Sequence, residues 1–115
     1  MRTTVGEFII GRLKDLGIKH IIGVPGDFNL SFIEQINEAE DIEFVGACNE
    51  LNAAYAADGY GRQSGVGALL TTYGVGELSA LNGIAGARAE HVPMCLWLAL
   101  RRCIPLNTGG ICTTR

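Results

Sequence analysis

The sequence has no cluster of lysine and arginine: its 115 residues carry 9 basic side chains against 12 acidic ones, a formal net charge of −3. The electrostatic footprint of a nucleic-acid binder is missing, so nucleic acid is not an expected partner. Long apolar runs are also missing. The longest, Met94 to Leu100, is too short to span a bilayer, and Met1 to Glu7 turns polar where a secretion signal would need its apolar stretch. No membrane partner and a cytoplasmic location are therefore expected. None of the cysteines, Cys48, Cys95, Cys103 and Cys112, falls in a CxxC pair or another metal-ligand spacing, so free thiols and no bound metal are expected. Charged residues make up only 18% of the chain while hydrophobic ones make up 48%. That balance excludes a disordered tail and leaves one core-forming domain.

What is present alternates. Thr4 and Glu7 have the spacing of a capping box, and Val5, Phe8, Ile9, Leu13 and Leu16 follow at helical intervals until Gly17. Ile18 to Val24 is a β-branched run stopped by Pro25-Gly26, which predicts a buried strand. Helical spacing returns over Asn29 to Ala39, Glu50 to Gln63 and Gly76 to Ala89, with further strands at Asp41 to Gly46, Val66 to Thr72 and Met94 to Leu98. Strands alternating with helices predict an α/β fold, a parallel sheet covered by helices on both faces, incomplete at its C-terminus. The domain occupies residues 1–100. Residues 101–115 show no apolar period and are expected to form an irregular tail. The alanines between Glu50 and Gln63, with Gly59 and Gly61, predict a helix face pressed against a close neighbour.

On such sheets ligands bind beyond the carboxyl ends of the strands. Three turns lie there: Pro25-Gly26-Asp27, Ala47-Cys48-Asn49-Glu50, and Thr72-Tyr73-Gly74-Val75-Gly76. Glu50 opens a helix, where an acid is favoured by the helix dipole with no further role; buried there, it would instead favour its neutral form and suit proton exchange. Asp27 follows a strand-to-helix turn, so it is either a helix cap or an acid in the mouth of the sheet. Gly74-Val75-Gly76-Glu77-Leu78-Ser79 departs from a dinucleotide fingerprint, because Ser79 replaces the last glycine and the loop follows the third strand. His91 suits a helix end, and Ser79 has no base at a readable spacing.

Four blocks in register carry a resemblance: Val24-Pro25-Gly26-Asp27-Phe28-Asn29, Cys48 through Tyr60, Thr71 through Ala80, and Ala89-Glu90-His91-Val92-Pro93. Over about residues 4–94 the chain resembles the N-terminal domain of thiamine diphosphate-dependent 2-oxo acid decarboxylases of the pyruvate and indolepyruvate type. The resemblance implies that the domain binds the aminopyrimidine end of thiamine diphosphate. It places the cofactor glutamate on Glu50, where a carboxyl hydrogen-bonded to the pyrimidine promotes its imino form. It also implies that Pro25 and Val75 line the pyrimidine pocket and that Asp27 is the acid near a 2-oxo acid substrate. The family's magnesium and diphosphate site lies on a separate domain that nothing in this sequence resembles. The resemblance therefore implies half a site, completed in a homo-oligomer or by a full-length paralogue, with no decarboxylation by the fragment alone. A non-catalytic interaction module pairing with a full-length decarboxylase is the other expectation.

The tail differs from the family. Read in a shifted frame, codons for Ala99-Leu100 can give Gly-Thr, those for Arg101-Arg102 Pro-Pro, and those for Cys112 to Arg115 Leu-His-His-Thr, which is the family's pattern there. The expectation is a family sequence read out of frame, and a coding sequence incompatible with those codons would refute it.

Overall fold

The computed structural model describes residues 4–99, with side chains to Trp97. The expected tail over 101–115 lies outside the described residues, as do Cys103 and Cys112. Eight elements follow in alternation: helix α1 (Val5–Asp15), strand β1 (His20–Gly23), α2 (Leu30–Glu38), β2 (Glu43–Gly46), α3 (Glu50–Ser64), β3 (Gly67–Thr72), α4 (Val75–Ala89) and β4 (Met94–Ala99). Their ends follow from local chemistry. The Glu7 amide donates to Thr4 Oγ1 at 3.1 Å and the Thr4 amide donates to Glu7 Oε2 at 2.7 Å, completing the capping box of α1. Gly17, at φ +80°, lets the chain leave that helix. The Asn52 amide donates to Asn49 Oδ1 at 2.8 Å and so caps α3.

All strand pairs are parallel, in the order β2-β1-β3-β4. The chain runs from β1 outward to β2, then back past β1 to β3 and on to β4. Right-handed crossovers then require α2 on one face of the sheet and α3 and α4 on the other. Burial follows that rule. Ile10 and Leu13 of α1 and Ile33 and Ile36 of α2 pack with Ile21, Ala68 and Leu70, while Ala53, Ala54 and Ala57 of α3 and Ala80 of α4 pack with Ile22 and Leu69. Adjacent strand residues serve opposite cores because side chains alternate across the pleat. Among the described residues, no helix is long and apolar enough to cross a membrane.

The small residues of α3 do have a close neighbour. A Cβ added at Gly83 of α4 would lie 2.5 Å from the Cβ of Ala54, and one at Gly61 would lie 3.0 Å from both Val92 Cγ1 and the Gly67 nitrogen. Gly59 is different, since a Cβ there meets nothing within 4 Å. It retains the entropic cost of glycine in a helix without a packing reason. Gly59→Ala is therefore expected to stabilise the domain by about 0.5–1 kcal/mol, read as a raised denaturation midpoint at unchanged slope. A lowered midpoint would show a constraint on that face.

Candidate functional site

Neighbouring strands β1 and β3 send the chain in opposite directions, β1 toward the β2 edge and β3 toward the β4 edge. In open α/β sheets that reversal leaves a crevice beyond the carboxyl ends. The turn after β1 crosses to the turn after β3. A Cβ on Gly26 would lie 3.4 Å from Thr72 Cβ, and the rings of Phe28 and Tyr73 pack at 5.1 Å between centroids with their planes 57° apart. Glu50 reaches the same place from the outer strand. Its Oε1 and Thr72 Cγ2 would each lie 3.1 Å from a Cβ on Gly76. The carboxyl thus rests against bare backbone at the start of α4. Gly74 makes that approach possible, because its φ of +74° with ψ of −113° is a conformation for glycine alone.

The four residues singled out in sequence all lie at this end of the sheet. Glu50 is half-buried and abuts the backbone of Gly76, next to Val75. Among the described residues, neither of its carboxylate oxygens accepts a hydrogen bond. Pro25 and Asp27 are exposed on either side of Gly26, and Val75 is 80% exposed. The three turns, taken as residues 24–29, 47–52 and 72–78, carry Asp27, Glu50 and Glu77 and no lysine or arginine. The crevice is acidic and aromatic.

Two assignments change. Asp27 does not cap α2, because Asn29 occupies the N-cap position, and that helix has no side-chain cap bond at all. The Asn29 side chain turns back instead. Its Oδ1 accepts from the Gly26 amide at 2.8 Å and its Nδ2 donates to the Val24 carbonyl at 3.0 Å, with the residue wholly buried. Asn29 fixes the turn that carries Pro25 and Asp27, a role the sequence analysis missed by counting it as the first helical residue. The signal lay in an Asn three residues after Pro25-Gly26, a spacing at which a carboxamide reaches back to the turn's own backbone. His91 closes α4 through its backbone, at φ +56° and with its amide donating to the Arg88 carbonyl at 3.2 Å. Ser79 is exposed, and Cys48 and Cys95 are free thiols. Among the described residues, no three His, Cys, Asp or Glu side chains gather closely enough to hold a metal ion.

Residues 3–102 match the family model described as thiamine pyrophosphate enzyme, N-terminal TPP binding domain. The chain is 58% identical over 89 residues to a pyruvate decarboxylase of Hanseniaspora uvarum, covering 77% of this chain and 16% of the relative. It is 58% identical over 91 residues to an alpha-keto-acid decarboxylase of Mycobacterium ulcerans, covering 79% and 16%. A Schizosaccharomyces pombe protein named for pyruvate decarboxylase is 59% identical over 109 residues, covering 93% of this chain and 19% of its own length. The chain therefore spans about a sixth to a fifth of the length of these relatives.

Proposed function

Since the chain belongs to the family of thiamine pyrophosphate enzyme N-terminal domains, we propose that it is the aminopyrimidine-binding half of a non-oxidative 2-oxo acid decarboxylase of the pyruvate or indolepyruvate type. The observation that carries this function is the seating of Glu50 against Gly76, which draws the turns after β2 and β3 into one crevice. The residues fit the pyrimidine end of the cofactor. Glu50 offers to a ring nitrogen a carboxyl that has no hydrogen-bond partner among the described residues, exposed Pro25 and Val75 offer apolar walls, and Gly26 and Gly76 keep side chains out of the space between. They do not fit the diphosphate. Among the described residues the three turns around the crevice carry Asp27, Glu50 and Glu77 and no lysine or arginine, so they offer the diphosphate no cation, and its anchor, with magnesium, is assigned to another domain as in the family this chain resembles.

When bound, thiamine diphosphate supplies the electron sink for decarboxylation. The chain's own part is proton traffic and placement. Glu50 holds the pyrimidine and exchanges a proton with it, and Asp27, on the exposed side of the crevice, delivers a proton toward the 2-oxo acid's product. Because the diphosphate anchor is elsewhere, the site is completed in a homo-oligomer or by a full-length paralogue, in the cytoplasm.

The isolated 115-residue chain, assayed with pyruvate, indolepyruvate or a branched 2-oxo acid plus thiamine diphosphate and magnesium, is expected to release no carbon dioxide above background. Turnover by the pure chain would refute the half-site. One further observation favours a second role, a non-catalytic module pairing with a full-length decarboxylase. Tyr55 of α3 and Val75, Leu78 and Leu81 of α4 are all exposed, leaving apolar surface on the helices that frame the crevice. Co-purification with an active decarboxylase that is unaffected by Glu50→Gln would favour that role over catalysis.

A further inference from the structure

Asp27 stands on a turn that belongs to no helix or strand, and its side chain is exposed. An acid placed that way would ordinarily wander with its loop. Here the loop is tied on both sides of it. Inside, the buried carboxamide of Asn29 takes the Gly26 amide at 2.8 Å and gives a hydrogen to the Val24 carbonyl at 3.0 Å, while the Asn29 amide donates to the Gly26 carbonyl at 2.9 Å. Outside, Phe28 lies against Tyr73 of the next turn. The same Val24 donates its amide to Leu70 of β3 at 3.4 Å, so the tied turn hangs from the central strand pair.

We infer that Asn29 is a positioning residue, whose carboxamide bonds, and not its volume, hold Pro25 and Asp27 at the mouth of the crevice. The catalytic meaning of that placement rests on the function proposed above, but the clasp itself does not. Both carboxamide atoms meet backbone groups of the turn, which a side chain of equal size without polar atoms would leave unpaired inside the fold. Leucine has the same number and branching of heavy atoms, in a somewhat larger side chain, and no polar atom. Aspartate keeps one acceptor for the Gly26 amide and loses the donor to Val24. The three side chains therefore separate bonding from filling.

The test uses the full chain, labelled with 15N, and reads hydrogen exchange at the Gly26 amide. In the parent that amide is expected to exchange slowly although it lies outside every strand and helix. Asn29→Leu is expected to speed its exchange about tenfold or more while β1 and β3 stay protected, and Asn29→Asp is expected to restore most of the protection. Equal protection in the parent and Asn29→Leu, or none in the parent, would overturn the inference. Should Asn29→Leu fail to fold, Asn29→Ala, which also lacks polar atoms, is read in the same way. Thiamine diphosphate is then added to each protein. The inference expects the Asp27 amide response to weaken in Asn29→Leu while that of Val75 persists, and a common loss of both would mark Asn29 as merely structural. A parent that ignores thiamine diphosphate is compatible with a half-site whose diphosphate anchor lies elsewhere, and the Gly26 exchange still decides the clasp.

Discussion

On the function proposed above, Glu50→Gln is expected to lower 2-oxo acid turnover by about 10²–10⁴-fold in the complete enzyme built on this domain, the range for loss of a positioned acid-base group. Glutamine keeps the side chain's length and leaves its approach to Gly76 sterically unchanged. What it removes is the carboxyl group's capacity to exchange a proton. Asn49, which caps α3 through its own side chain, is untouched, so the helix start survives. Losing a negative charge from the first turn costs only about 0.3–1 kcal/mol of stability. The measurement is kcat at saturating thiamine diphosphate and magnesium beside a denaturation midpoint, and the midpoint should move little while kcat falls. A variant that retains turnover within threefold would remove Glu50 from the chemistry.

The second large effect lies in the fold. Gly83→Leu should cost about 3 kcal/mol or more, because its Cβ alone would lie 2.5 Å from Ala54 Cβ and 3.1 Å from the Ala54 carbonyl carbon. Neither atom is the free end of a flexible side chain, so relief requires α3 and α4 to separate. Gly83→Ala is milder. It gains about 1 kcal/mol of helix propensity and gives back more in overpacking, leaving a net loss of about 1–2 kcal/mol. Denaturant unfolding of both variants beside Gly59→Ala separates packing from propensity within the same pair of helices. A Gly83→Leu protein as stable as the parent would show that the two helices part at no cost.

Much of this architecture is written locally. The Thr4 and Glu7 pair, the apolar runs at Ile21-Ile22 and Leu69-Leu70, and Gly17 and Gly65 at helix ends each act within a few residues, so elements and boundaries follow from sequence. Strand order does not. β1 pairs with β3 across more than forty intervening residues, and nothing in either strand names its neighbour. The site divides in the same way. Glu50, Asp27, Pro25 and Val75 stand out by position and resemblance, whereas the contact of Glu50 with Gly76 depends on two crossovers meeting. Asn29 was overlooked for the opposite reason. Its partners, Val24 and Gly26, are backbone groups, so the one trace in the residue letters is the spacing of Asn29 three residues after Gly26. Gly83 went unnoticed because a glycine in a helix looks like a weakness until the facing Ala54 is seen.

The crevice draws its walls from three successive crossovers, and this sets the time at which it can exist. Asp27 and Val75 are separated by nearly fifty residues of chain, which a ribosome adds over roughly 2–10 s. Before β3 has emerged and docked beside β1, the Asn29 turn has no Thr72 or Tyr73 to face, and Glu50 has no Gly76 to rest against. Parallel pairing at that separation is slow to form. The nascent domain therefore passes through an interval in which its acidic residues are present and its cofactor pocket is not, and thiamine can report the end of folding but cannot template its beginning.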